Sequence, residues 1–240
     1  MILLIDHRIL MNKRALPKPD LFASCPHDGN ILQYYAGAFE AVYVCFNPFI
    51  RPSRISPERF CPEYYPSEAE ILEHCDSVRW SDVVTLSGLS SYAEVDQALK
   101  TYTRSLRSEF ANETNAERLR NLFDQSVVMP PDRGEFSPFL WRTVMSKFQE
   151  LGHDWVWVGD EFCSERKLEW IEEVATHGPK QCHANLFAPD KSILWTSHWD
   201  SHFTLLCGSQ SDLQRFNNED LLEGFFCSPN TEIYWSTQPT

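Results

Sequence analysis

His198, Asp200 and His202 form the densest concentration of reactive side chains in this sequence. On an extended strand, side chains repeat with period two, so all three would share one face. Two imidazoles and a carboxylate can hold Zn²⁺ or non-haem Fe²⁺, with Glu223, His183 or His153 as a fourth group. Such a centre would activate water for hydrolysis or polarise a carbonyl. The spacing matches no metal signature, however, and a plainer reading is preferred. In it, residues 198–201 make a turn held by Asp200 and Ser201 through side-chain to backbone hydrogen bonds. His202 then satisfies its ring locally.

Other chemistry has less behind it. Cys207 or Cys227 would be a nucleophile with His198 or His202 as base, yet Leu205-Leu206-Cys207 reads as core. Gly-x-Ser-x-Gly, Gly-x-Gly-x-x-Gly and the P-loop are absent from a chain with nine Gly. Asp160-Glu161 reads as a solvated turn as readily as an acid–base pair. Arg51, Arg54 and Arg59 fall in a Pro-rich connection over residues 47–66. They would grip an anion, or pair with neighbouring acids. Arg51, Arg54, Trp199 and Glu223 are the candidate binding residues.

These groups must be positioned by the surrounding elements. Ser67-x-x-Glu70 is a capping box ahead of a short helix. Ser91 opens a helix whose stripe Tyr92, Val95, Leu99, Tyr102, Leu106 and Phe110 predicts helix as far as Phe110. Thr114-x-x-Glu117 restarts a helix that Pro130-Pro131 breaks, and Ser137-Pro138 begins another. His153 to Val158 reads as a strand, and Ser164 as the cap of a helix through Leu168, Ile171 and Val174. His183–Phe187 and Ser192–Thr196 read as a hairpin around Pro189, and Phe203–Cys207 as a third strand. Leu213, Phe216, Leu221 and Leu222 suggest short helices, and Ile233-Tyr234-Trp235 a last strand. Asn30 to Phe46 fits helix or strand equally well. The order implies a single α+β domain over 1–240. Its mostly antiparallel C-terminal sheet carries several amphipathic helices, packed to one side.

Composition narrows the partners. A net charge of −13 argues against non-specific nucleic-acid binding. It favours a basic protein partner, although solubility alone would explain it. No run approaches the ~20 apolar residues of a membrane span, and Asp6 interrupts the short apolar N-terminus. The expectation is a cytoplasmic protein whose eight Cys, with no Cys-x-x-Cys pair, are reduced.

Asn47-Pro48-Phe49-Ile50, Asp200-Ser201-His202-Phe203 and Glu223-Gly224-Phe225-Phe226-Cys227 resemble a family of uncharacterised bacterial proteins known only as a domain of unknown function. The resemblance spans most of the chain and implies a bacterial cytoplasmic protein with no established activity. The leading expectation is therefore a soluble, non-catalytic binding protein without a cofactor, immunity-like or regulatory by analogy. The alternative is a metal-dependent hydrolase built on His198, Asp200 and His202 with Zn or Fe.

Overall fold

The computed structural model describes residues 18–126, 128–161, 164–179, 184–217 and 222–238. Its centre is a seven-stranded antiparallel sheet, in the order β5-β4-β6-β7-β8-β1-β9. The strands are β1 (Ala41–Phe46), β4 (Trp155–Gly159), β5 (Arg166–Trp170), β6 (Asn185–Phe187), β7 (Leu194–Ser197), β8 (Phe203–Gly208) and β9 (Gly224–Phe226). A separate pair joins β2 (Phe49–Pro52) to β3 (Cys75–Val78). The α+β class and the antiparallel sheet agree with the sequence.

Residues 30–46 resolve as both alternatives in turn. Asn30 caps a one-turn helix α1 (Ile31–Tyr34), and the chain then enters β1. This strand lies between β8 and β9, so the sheet recruits an early segment into its middle. All six β1 residues are buried. Val42, Val44 and Phe46 face one apolar cluster, and Ala41, Tyr43 and Cys45 face the other. Helices therefore cover both faces of the sheet, not one. The first cluster takes α3 (Trp80–Ser87), α4 (Tyr92–Tyr102) and α5 (Glu113–Ser126). The second takes α6 (Pro138–Glu150), α7 (Ile171–His177) and α8 (Gln210–Asn217). A strand buried on both sides reads as a continuous apolar run, which is why Ala41 to Phe46 lacked a periodic signature.

The capping box of Ser67 and Glu70 starts α2 (Glu68–His74) as the sequence indicates. Other boundaries differ. The helix α4 ends at Tyr102, because Arg104 takes a left-handed φ of 58° and the chain turns away before Leu106 and Phe110. Asn112, not Thr114, accepts the N–H of Asn115 at the start of α5. The expected helix from Ser164 is the strand β5, held against β4 with Trp155 stacked on Trp170 at 4.0 Å. Only α7 keeps the helical spacing, through Ile171 and Val174. The last strand is β9, while Trp235–Thr237 form a turn of 3-10 helix. Gly224 permits that strand, since a Cβ there would lie 1.8 Å from the Val44 carbonyl oxygen. His183 and Leu221 lie outside the described residues.

Among the described residues, no helix is long and apolar enough to cross a membrane.

Candidate functional site

The three short motifs that carry the family resemblance meet at one end of β1. Phe46 donates its N–H to the Glu223 carbonyl at 2.8 Å, and Asn47 donates to the His202 carbonyl at 3.1 Å. The Trp80 indole donates to the Asn47 carbonyl at 2.7 Å. Residues 150 or more apart in sequence are thus locked together by backbone contacts, which fixes the loop between β7 and β8.

That loop is a turn, as in the plainer reading, but the side chains of Asp200 and Ser201 bond those of Arg133 and His198 rather than the backbone. The Ser201 N–H donates to the His198 carbonyl at 3.0 Å. His198 is 1% exposed and its two ring nitrogens are both engaged. Nδ1 lies 2.8 Å from the Ser201 hydroxyl and Nε2 lies 3.1 Å from the His27 carbonyl. A carbonyl only accepts, so Nε2 carries the proton and Nδ1 accepts from Ser201. Asp200 accepts from Arg133 at 2.9 Å. Arg133 sits on the loop over residues 129–135, which clamps the turn: Gly134 donates to Ser201, and its carbonyl accepts from the Ser197 hydroxyl.

His198 and Asp200 are therefore committed to holding the turn. Among the described residues, no group of three or more His, Cys, Asp or Glu is arranged to hold a metal ion. The three side chains of the metal reading do not converge, because a turn disperses what a strand would align. His153 bonds the Ser192 hydroxyl at 3.3 Å on the turn between β6 and β7.

His202 is different. It is 1% exposed, and its Nδ1 is buried with no hydrogen-bond partner among the described residues. The same residue lines a cleft of about 320 Å³, walled by Phe60, Tyr65, Tyr102 and Met129, with Asp132 and Arg133 on its polar side. Tyr65 donates to both carboxylate oxygens of Asp132 at 3.1 Å. The Pro-rich connection thus contributes Phe60 and Tyr65 to the cleft, not its arginines.

Close to His202 and His198 lies a pair that sequence reasoning missed. Lys100 and Asp96 are fully buried on α4, with Nζ 2.8 Å from Oδ2. The ammonium lies 5.2 Å from the Tyr234 ring centroid and 5.6 Å from that of Phe203. Ser236 donates to the same Asp96 oxygen, leaving Oδ1 buried without a partner among the described residues. The signal was present: Asp96 and Lys100 are four apart and interleave with Val95 and Leu99 on the buried face of α4.

Burial pushes the His202 imidazole down to about 4; Asp96 opposes the shift, while Lys100 and Arg133 add to it. Burial likewise takes His198 down to about 4, with the His27 hydrogen bond opposing. Both rings are neutral at pH 7, and a neutral imidazole can donate and accept at once. Burial raises the Asp200 carboxyl, and Arg133 limits the rise.

The remaining candidates fall elsewhere. Glu223 accepts from the N–H groups of Trp80 and Ser81 at 2.6 and 2.8 Å, and from the Tyr92 hydroxyl at 3.1 Å. It supplies the cap that Arg79 does not give α3. Arg54 donates to the Glu73 carbonyl, and Arg51 is an exposed residue of β2 opposite Asp76. Trp199 is 47% exposed, with its ring 5.8 Å from that of His198. Burial keeps the Cys207 thiol protonated, its pKa well above the usual value, and lifts Cys227 to about 12, so neither is poised as a nucleophile.

Comparison with known proteins gives a family whose function is described as unknown. Residues 27–237 match a family described as "Protein of unknown function (DUF2711)". The chain is 30% identical over 212 residues to "Uncharacterized protein YwbB" of Bacillus subtilis (strain 168), covering 85% of this chain and 94% of that protein. No solved structure matches it.

Proposed function

The chain belongs to the DUF2711 family, and we propose that it is a cytoplasmic, non-catalytic binding protein whose ligand seat is the cleft over His202. One observation carries this reading: a buried imidazole nitrogen without a partner among the described residues belongs to a residue that lines the cleft. Buried polar atoms are nearly always hydrogen-bonded, and an unpaired one costs about 1–3 kcal/mol. The imidazole lines the cleft while its Nδ1 is sealed from solvent, so a ligand recovers that cost by turning the ring to meet it. At about 320 Å³ the cleft lies at the low end of the usual ~300–1,000 Å³ range for small-molecule sites. Its occupant is then a small organic molecule with a flat apolar part against Tyr65, Tyr102 and Phe60. The molecule carries a hydrogen-bonding group for His202. A larger hollow of about 410 Å³ is lined by Phe110, Asn230, Glu232, Thr237 and Gln238, and none of these supplies an unpartnered buried atom.

A regulatory role suits this reading, with the ligand as signal. The net charge of −13 supports a basic protein partner as the companion reading, including the immunity-like one. The test is a thermal-shift screen of small polar aromatics on the wild type, His202→Ala and Arg54→Ala. Compounds that stabilise the wild type and Arg54→Ala but not His202→Ala are expected. Compounds that stabilise all three proteins equally would move the site elsewhere.

A further inference from the structure

One edge of the large sheet carries a pattern that matches itself. Among the described residues, the strand β5 ends the sheet, with β4 on its inner side. Asp160 donates to the Glu165 carbonyl at 3.2 Å, and Ile171 donates to the Asp154 carbonyl at 3.1 Å. Bonded pairs alternate along an antiparallel ladder. With the register of Val156 to Glu169 and Val158 to Lys167, the backbones of Lys167 and Glu169 turn inward to β4. Those of Arg166, Leu168 and Trp170 point outward from the sheet. Leu168 and Trp170 are 39% and 51% exposed, and Leu168 is the central residue of the strand.

We propose that two copies of this chain pair edge to edge through β5, antiparallel about a twofold axis at Leu168. The sheet would then continue across both copies. In this register Arg166 lies opposite Trp170 of the second copy, and Leu168 lies opposite its own equivalent. Among the described residues, Arg166 and Leu168 offer both outward groups to the ladder, while Trp170 offers its N–H, its carbonyl being used to open α7. Lys167 falls opposite Glu169 of the second copy at the non-hydrogen-bonded positions, where facing side chains come closest. Opposite charges there are favourable. Sliding by one residue breaks the hydrogen-bond pattern. Sliding to the neighbouring bonded registers sets Lys167 against Lys167, or Glu169 against Glu169. Charges on an edge usually discourage pairing; here they select one register and one partner. Within one copy Lys167 already lies 2.8 Å from Glu169, so pairing exchanges this contact for the equivalent one across the axis. The contact is isologous, as a closed dimer requires.

The test is sedimentation velocity over a concentration series reaching the high micromolar range. It uses the wild type, Lys167→Glu, Glu169→Lys and an equimolar mixture of the two variants. Far-UV circular dichroism checks that each is folded. The wild type is expected to dimerise reversibly. Each single variant opposes like charges at two related positions and should dimerise roughly 30-fold more weakly. Mixing them restores opposite charges at both positions and should regenerate a heterodimer. A wild type that stays monomeric throughout overturns the proposal. So do folded variants that dimerise like the wild type, or a mixture that stays monomeric.

Discussion

Two hollows flank the end of β1, one with the half-buried Glu223 at its wall and the other with the buried His202. The first, about 230 Å³, is lined by Glu223 with Phe46 and Arg79. The second, about 320 Å³, is lined by His202 with Tyr65 and Arg133. In the first, two backbone N–H groups and a tyrosine hydroxyl already serve the carboxylate. In the second, the His202 Nδ1 and the nearby Asp96 Oδ1 have no partner among the described residues. A polar group whose bonds are closed within the protein is architecture. One left open is a cost that calls for a partner. Glu223 and His202 have similar sequence credentials, and burial and hydrogen-bond accounting separate them.

The largest effect should come from breaking the ion pair behind His202. Lys100→Met strands the Asp96 charge in the core and should lower stability by about 3–5 kcal/mol in urea denaturation. Asp96→Leu with Lys100→Met should recover most of that loss. If the double variant folds but no longer answers the ligands of the wild type, the pair belongs to the site.

Acid should act next, and through the histidines. Both folded imidazoles sit at about 4, below the unfolded value near 6.5, so the unfolded chain binds more protons between these limits. The stability they contribute is full above pH 6.5 and is lost as pH falls toward 4, by up to ~3 kcal/mol for each ring. Asp200, with its pKa raised, works in the opposite direction. Replacing His202 by Gln should flatten the acid limb of a melting curve measured against pH.

On the architectural side, Glu223→Gln should cost about 1–2 kcal/mol by weakening the start of α3. It should leave ligand responses at the His202 cleft unchanged. A lost ligand response would break the contrast between the two hollows. The smallest effect should be Arg54→Ala, an exposed change expected to stay within about 0.5 kcal/mol in the same denaturation assay.

Much of the fold was readable because its signals were local. The Ser67 capping box, the Pro138 start of α6 and the hairpin around Pro189 each depend on a few adjacent residues. What escaped was decided by distant contacts. Leu168, Ile171 and Val174 are spaced as a helix, yet pairing with β4 holds Leu168 in a strand. The cluster at 198–202 drew attention by residue type, but only the third of its candidates proved open. Asp96 and Lys100 were visible as an acid and a base four apart inside an apolar stripe. The cleft itself was not visible, since Tyr65, Met129 and His202 meet only after the sheet has formed.

The most direct test of the central claim is ¹⁵N NMR of the histidine rings, titrated with a compound that stabilises the wild type. The two neutral rings give a built-in comparison. His198 has both nitrogens bonded to Ser201 and His27, and its signals should stay in place. His202 has a buried Nδ1 without a partner among the described residues, and its ring signals should move in step with occupancy. Binding that shifts His198 and leaves His202 unchanged would contradict the account.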